Sequence, residues 1–259
     1  MIELQALTKR YDGTVVVDEL SLTVPTGQLL VLLGGSGSGK TTTLKMINRL
    51  IEPTTGAVWI DGTETSTIPA PELRRRVGYV FQQVGLFPHM TVSENVGVTP
   101  SLLGWAPDLI TARVDELLEL VELDLSTVRD RYPDELSGGQ QQRVGVARAL
   151  AGSPSILLLD EPFGSLDPLT RQRLQDSLVR IRHEVGLTAV FVTHDMVEAL
   201  LLGDRIAVLN AGRLVQVGTP RELLTSPADD YVRQLMATPR RQAEVVDALM
   251  ASGDDEDRP

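Results

Sequence analysis

Residues 28–50 read QLLVLLGGSGSGKTTTLKMINRL, and the fold turns on this stretch. The run 28–33, apolar after its first residue, is too short for a core helix and suits a strand buried on both faces. The pattern of 41–50 is helical. Between them lies Gly34 to Thr42, GGSGSGKTT, which matches the phosphate-loop spacing Gly34-x4-Gly39-Lys40-Thr41. Glycines let successive backbone N–H groups converge on phosphate oxygens, and the helix N-terminus adds a favourable partial charge. Gly34, Gly35, Ser36, Gly37, Ser38, Gly39, Lys40, Thr41 and Thr42 are therefore candidate nucleotide contacts. Lys40 is placed to reach the β- and γ-phosphates and the Thr41 hydroxyl to ligate Mg²⁺. A flexible Gly/Ser turn is the plain alternative, but it leaves the flanking strand and helix unexplained. The only other lysines are Lys9 and Lys45, so a lysine inside this loop is not a solubility feature.

A second glycine motif lies far downstream: Leu136 to Gln140, LSGGQ. Ser137 and Gln140 have capping-box spacing, with a helix reading through QQRVGVARAL. A cap does not require Gly138 and Gly139. Two glycines beside a hydroxyl at a helix start make a second anion site. Further on, Asp160 ends the apolar strand ILLL, at the sheet edge where open α/β sheets bind ligands. It is read as holding Mg²⁺, with Glu161 as the general base that activates water. His194 follows another apolar strand. Taken alone, such a histidine is more often structural. Asp167-Pro168 reads as a helix cap followed by proline in the first turn.

Outward from these motifs, residues 1–33 read as strands, with Thr14–Val24 rich in β-branched residues, and 56–62 as one more. From Thr91 to Ala151 the pattern turns helical, with Val114, Leu117, Leu118 and Val121 on one face. Strands at Ile156–Leu159 and Thr188–Thr193 bracket a helix with Leu174, Leu178, Ile181 and Val185 on its apolar face. Asp195 is a candidate cap for the next helix. Ile206–Asn210 and Arg213–Val217 flank a hairpin signal at Ala211-Gly212, and Thr219, Pro220 and Glu222 read as the start of a last helix. Strands alternating with helices indicate a mainly parallel sheet. The tail, ASGDDEDRP, is acidic and expected to be disordered.

Composition narrows the function classes. The 259 residues carry a net charge of −11, which argues against broad nucleic-acid binding; Arg74-Arg75-Arg76, the one dense basic cluster, reads as a solvated helix face. No run approaches the roughly 18 apolar residues of a membrane span, and the start shows no signal-peptide pattern. Without cysteine, disulfides and thiolate metal sites are excluded.

The phosphate loop together with LSGGQ and Asp160-Glu161 resembles the nucleotide-binding subunit of ATP-binding cassette (ABC) transporters. KMINRLIEPTTG, ELRRRVGYVFQQVGLFPHMTV, RYPDELSGGQQQR, DEPFGSLDPLTR and VTHDMVEAL look like the ATPases of importers for glycine betaine, choline, carnitine and related osmoprotectants. The resemblance implies an α/β, P-loop NTPase (RecA-like) core at about 1–90 and 152–236, with a mainly parallel sheet, an antiparallel β portion and a helical insertion at about 91–151. It implies Glu161, His194 and Gln82 as catalytic groups, with His194 at the γ-phosphate. Thr41, Gln82 and Asp160 would serve Mg²⁺, and Tyr11 would stack on adenine. Ser137, Gly138, Gly139, Gln140 and Asp167 would meet the ATP of an opposite subunit. On their own, Gln82 is an ordinary surface amide and Tyr11 an ordinary half-exposed tyrosine. Implied partners are a second copy of the chain, integral-membrane permease subunits on the cytoplasmic face and, indirectly, a solute-binding protein, with no nucleic acid. Leu86, Phe87, Pro88 and Met90 form an apolar cluster suited to docking. Many relatives carry paired regulatory CBS domains. The residues beyond Met236 are too few for them, so regulation of that kind is not expected. The alternatives are an importer ATPase for amino acids or polyols, or a soluble ABC ATPase without transport.

Overall fold

The computed structural model describes residues 1–164 and 166–237. The expectations for the tail and for the Val185 side chain fall outside the described set. Among these residues, β1 (Ile2–Tyr11), β2 (Thr14–Val24), β3 (Leu29–Leu33), α1 (Lys40–Ile47), β4 (Thr55–Ile60) and β5 (Thr63–Glu64) come first. There follow α2 (Ala70–Arg76), β6 (Val77–Val80), α3 (Val92–Leu102), α4 (Pro107–Leu120), α5 (Leu125–Val128) and α6 (Gly138–Leu150). The chain then forms β7 (Ile156–Asp160), α7 (Pro168–Val185), β8 (Thr188–Thr193), α8 (Met196–Leu202), β9 (Arg205–Asn210), β10 (Arg213–Gly218) and α9 (Pro220–Thr225), with helical backbone again over 230–237.

The strands form an antiparallel sheet in the order β2-β1-β4-β5 and a second sheet in the order β10-β9-β3-β8-β7-β6. In the second, β9, β3, β8, β7 and β6 run parallel and β10 is antiparallel. All five residues of β3 are buried, and alternation sends them to opposite faces. Leu29, Val31 and Leu33 join a core cluster with the helices α3, α4, α6 and α7. Leu30 and Leu32 join the other, with β1, β2 and α1. The parallel sheet is thus covered on both sides, as its continuous apolar strands require.

Several local signals act as the residue types demand. Thr91 and Thr219 close capping boxes with Glu94 and Glu222, and Asp195 accepts from the N–H groups of Val197 and Glu198. Ala211 and Gly212 both have positive φ, the hairpin turn that matches strand twist. A Cβ at Gly212 would lie 2.6 Å from the Val16 carbonyl oxygen, so only glycine fits there. Arg74, Arg75 and Arg76 are exposed in the last turn of α2, with Arg74 donating to the Arg49 carbonyl. Sequence reading placed a helix face at Arg74-Arg75-Arg76 but did not separate β5 or β6. The four-residue β6 carries too few residues for a period to show, and its pairing with β7 supplies what the sequence lacks.

Candidate active site

Parallel register assembles the site. Leu33 pairs with Thr193, Asp160 with Val192 and Val80 with Leu159. The carboxyl ends of β3, β8, β7 and β6 therefore lie side by side. They present the phosphate loop, His194, Asp160-Glu161 and Gln82 in that order at one edge.

In the loop, a Cβ at Gly34 would sit 2.2 Å from the Leu209 carbonyl oxygen, so the close approach to β9 needs glycine. Gly39, at φ 94°, begins α1 without any side-chain cap, which leaves the first-turn N–H groups to the loop's interior. The Lys40 ammonium folds back, donating to the carbonyls of Gly34 and Gly35, each at 2.8 Å, and to Ser38 Oγ at 3.4 Å. Burial pulls its pKa below the usual lysine value, against the charges of Glu161 and Asp160. The Thr41 hydroxyl donates to Asp160 Oδ1 at 2.7 Å. Burial pushes the Asp160 carboxyl upward, against the Thr41 hydrogen bond and the Lys45 charge. Ser36 and Gly37 are exposed and Thr42 is half-buried.

Glu161 lies at φ 44°, a left-handed backbone that costs a non-glycine residue about 1–3 kcal/mol. Its N–H donates to the Val192 carbonyl at 3.0 Å. Its Oε2 lies 3.2 Å from Gln82 Nε2 and 3.2 Å from His194 Nδ1. The three residues named as catalytic thus meet at one carboxylate oxygen. Gln82, also expected near Mg²⁺, here bonds to Glu161.

The other expected contacts lie elsewhere. Ser137 Oγ accepts from the Gln140 N–H at 3.3 Å, and Gln140 Oε1 accepts from the Ser137 N–H at 2.9 Å. Ser137 and Gly138 are exposed and Gly139 is half-buried, and a Cβ at Gly138 would meet nothing within 4 Å. Helix α6 packs on α3, α4 and β6, whereas α1 packs on β2, β7 and β8. The two glycine motifs therefore belong to different layers. Asp167 Oδ1 accepts from the Thr170 N–H at 3.0 Å, and hydrogen bonds from Thr170 hold its carboxyl below the usual range. Tyr11, at the end of β1, carries Lys9 Nζ 4.9 Å from its ring centre.

Four residues that sequence reasoning passed over matter here. The Tyr231 hydroxyl accepts from the Gly35 N–H at 3.3 Å. Glu198, buried behind His194, accepts from Thr193 Oγ1 at 2.7 Å and from Gln175 at 3.2 Å. Asn95, fully buried, accepts from the Phe87 N–H and donates to the carbonyls of Phe87, Met90 and Thr91. Arg148 donates to Val84 and Gly85. Burial of polar types was their only possible signal, and a sequence does not show burial. Phe87 is 40% exposed and Pro88 exposed, whereas Leu86 packs on the core. Leu86 and Met90 are both half-buried, so Phe87 and Pro88 are the most exposed members of the expected cluster. Phe87 borders a groove of about 470 Å³ with Val77, Phe81, Val98, Arg75 and Arg148.

Comparison with known proteins agrees with the layout. Residues 17–164 match the family described as ABC transporter. The chain belongs to this family. It is 50% identical over 234 residues to the glycine betaine uptake system ATP-binding protein of Escherichia coli, covering 90% of this chain and 76% of that one. It is 49% identical over 241 residues to the glycine betaine/carnitine/choline transport ATP-binding protein of Bacillus subtilis, covering 93% of this chain and 63% of that one. The ATP-binding cassette MJ0796, solved as a dimer in a post-hydrolysis state with ADP and Pi, superposes with a TM-score of 0.80 at 36% identity. That match covers 85% of this chain and 99% of that one.

Proposed function

We propose that this chain binds and hydrolyses ATP as the motor subunit of an importer for quaternary-amine osmoprotectants such as glycine betaine, choline or carnitine. The observation that carries the ATPase reading is the convergence of Gln82, Glu161 and His194 beside the Lys40 loop and the Thr41–Asp160 pair. The substrate class rests on the names of the relatives above. The loop N–H groups and Lys40 hold the phosphates, and Tyr11 stacks on adenine. Glu161 takes a proton from the attacking water while Gln82 and His194 orient it.

The residues fit a hard cation. A hydroxyl and a carboxylate oxygen stand 2.7 Å apart, and an ion that also binds phosphates needs only one or two such protein ligands. Mg²⁺ at Thr41 and Asp160, close to Gln82, would neutralise charge developing on the phosphate oxygens.

Ser137, Gly138, Gly139, Gln140 and Asp167 serve the ATP of an opposite copy, so the working unit is a homodimer. It acts on the cytoplasmic face, and no described helix is long and apolar enough to cross a membrane. The groove beside Phe87 takes a short helix of an integral-membrane permease, which is fed by an extracytoplasmic solute-binding protein. The domain limits follow the layers, with an α/β core at about 1–90 and 152–236 and a helical insertion at about 91–151.

Uptake of labelled glycine betaine and choline in a strain lacking this chain provides the test. The parent chain should restore uptake. Lys40→Ala should not, and in vitro it should bind ATP severely more weakly while remaining folded. Wild-type ATP affinity in Lys40→Ala would defeat the nucleotide assignment; restored ATPase without betaine or choline uptake would defeat the substrate class.

A further inference from the structure

Arg148 lies in the last turns of α6, the helix that opens at Ser137-Gly138-Gly139. Its Nη1 donates to the Gly85 carbonyl at 2.8 Å and its Nη2 to the Val84 carbonyl at 2.9 Å. The guanidinium lies 5.6 Å from the centre of the Phe87 ring. One turn earlier, a Cβ at Gly145 would come within 3.0 Å of Val84, so the helix seats that segment closely. Just beyond, the buried Asn95 of α3 ties down Phe87, Met90 and Thr91. The segment from 84 to 91 is therefore bolted to the helical layer, first to α6 and then to α3. On its other side, β6 is bonded into the sheet as far as Val80. Only residues 81–83 remain between these two attachments.

We propose that Arg148 is a positioning residue that confines the joint between sheet and helical layer to Phe81–Gln83. Any shift of α6 relative to the sheet is then delivered to Gln82, whose amide lies 3.2 Å from Glu161. A guanidinium suits this work because its rigid fork holds two carbonyls at once, which a lysine ammonium on a flexible stem does not. Without Arg148 the joint lengthens to about Phe81–Leu86, where Asn95 takes over, and a helix shift is absorbed before it reaches Gln82. The consequence for catalysis rests on the ATPase reading above; the mechanical attachment does not.

The chain has no cysteine, so paired spin labels can be placed freely. One goes at Gln83→Cys and the other at Glu119→Cys on α4, both exposed positions. A control pair joins Gln83→Cys to Thr63→Cys in the antiparallel sheet. In the nucleotide-free parent the 83–119 distance should form one narrow population. Arg148→Met should lose it, spreading it into several, and Arg148→Lys should recover it in part. If Arg148→Met does not unfold cooperatively, Arg148→Lys alone decides, by a distribution broader than the parent's. A narrow 83–119 population unchanged in a folded Arg148 variant overturns the proposal. Mg-ATP added to the parent tests the nucleotide reading separately. It should shift the 83–63 distance and leave the 83–119 distance in place, and absence of ATP binding there would defeat the ATPase reading without touching the attachment.

Discussion

At the scale of single residues, the site sets polar groups into places that disfavour their charge. Glu198 shows this most plainly. It sits one helical turn beyond His194 and is buried, receiving hydrogen bonds from Thr193 and Gln175, with the Arg171 guanidinium 3.9 Å away. Burial outweighs these partners and raises its pKa above the ordinary 4.5. The folded chain therefore holds this proton more tightly than the unfolded chain. The associated stability is complete below the unfolded pKa and is lost as the pH rises through the folded one. Glu198→Gln removes the charge and keeps an acceptor. It should raise the unfolding temperature relative to the parent at neutral pH, with the gain shrinking as the pH falls toward 4.5. Scanning calorimetry across that range checks it, and a difference that does not vary with pH would sink the account. Much of this scale was legible beforehand. Lys40, Thr41, Asp160 and Glu161 declare themselves through spacing, because a phosphate site needs consecutive backbone groups. Glu198 and Asn95 do not, because their meaning lies in what surrounds them.

Among the elements, α6 and the segment after β6 do the most. Helix α6 runs from Gly138 to the carbonyls held by Arg148, and the groove beside Phe87 opens next to that attachment. Phe87 is the aromatic of the apolar cluster and is 40% exposed, while Leu86 is half-buried and packs partly on the core; in the proposed assembly Phe87 is the ring that meets the permease. Phe87→Glu should therefore uncouple solute uptake from ATP hydrolysis in the assembled transporter and leave hydrolysis by the isolated subunit within about twofold, as is usual for surface changes away from a site. Parallel measurement of uptake and phosphate release decides this. Undiminished uptake would move the docking site elsewhere. The helical character of 92–150 was readable from period, but the partial burial of Leu86 was not. A run of consecutive apolar residues has no period from which to choose faces.

For the whole molecule, the decisive fact is that its two glycine motifs lie in different layers. The phosphate loop opens at the edge of the parallel sheet, and LSGGQ opens from the helical layer with Ser137 and Gly138 exposed. The homodimer proposed above, two copies related head-to-tail by twofold symmetry, would bring each motif to the other's nucleotide and make two composite sites. In the proposed dimer ATP would be shared between subunits, held through its γ-phosphate by Lys40 and His194 of one and by Ser137 and Gly139 of the other. Glu161→Gln keeps the shape and removes the base, so hydrolysis should fall by about 10²–10⁴. This variant, monomeric without nucleotide, should become a stable dimer in Mg-ATP, and adding Ser137→Arg should abolish the dimer. Light scattering reads both results. A monomer at saturating ATP, or a dimer indifferent to Ser137→Arg, would leave the composite site without support.

Local chemistry is what the sequence by itself determined. Glycines where a backbone must approach phosphate, caps at Ser137, Asp167, Asp195 and Thr219, and buried strands at Leu29–Leu33 and Thr188–Thr193 each depend on neighbours within a few residues. The tertiary structure alone decided that Gln82, Glu161 and His194 meet at one oxygen and that Arg148 grips Val84 and Gly85. Those contacts join residues far apart in the chain. They follow from the register of parallel strands and the packing of α6, which are settled only when the whole sheet and its helices share one core.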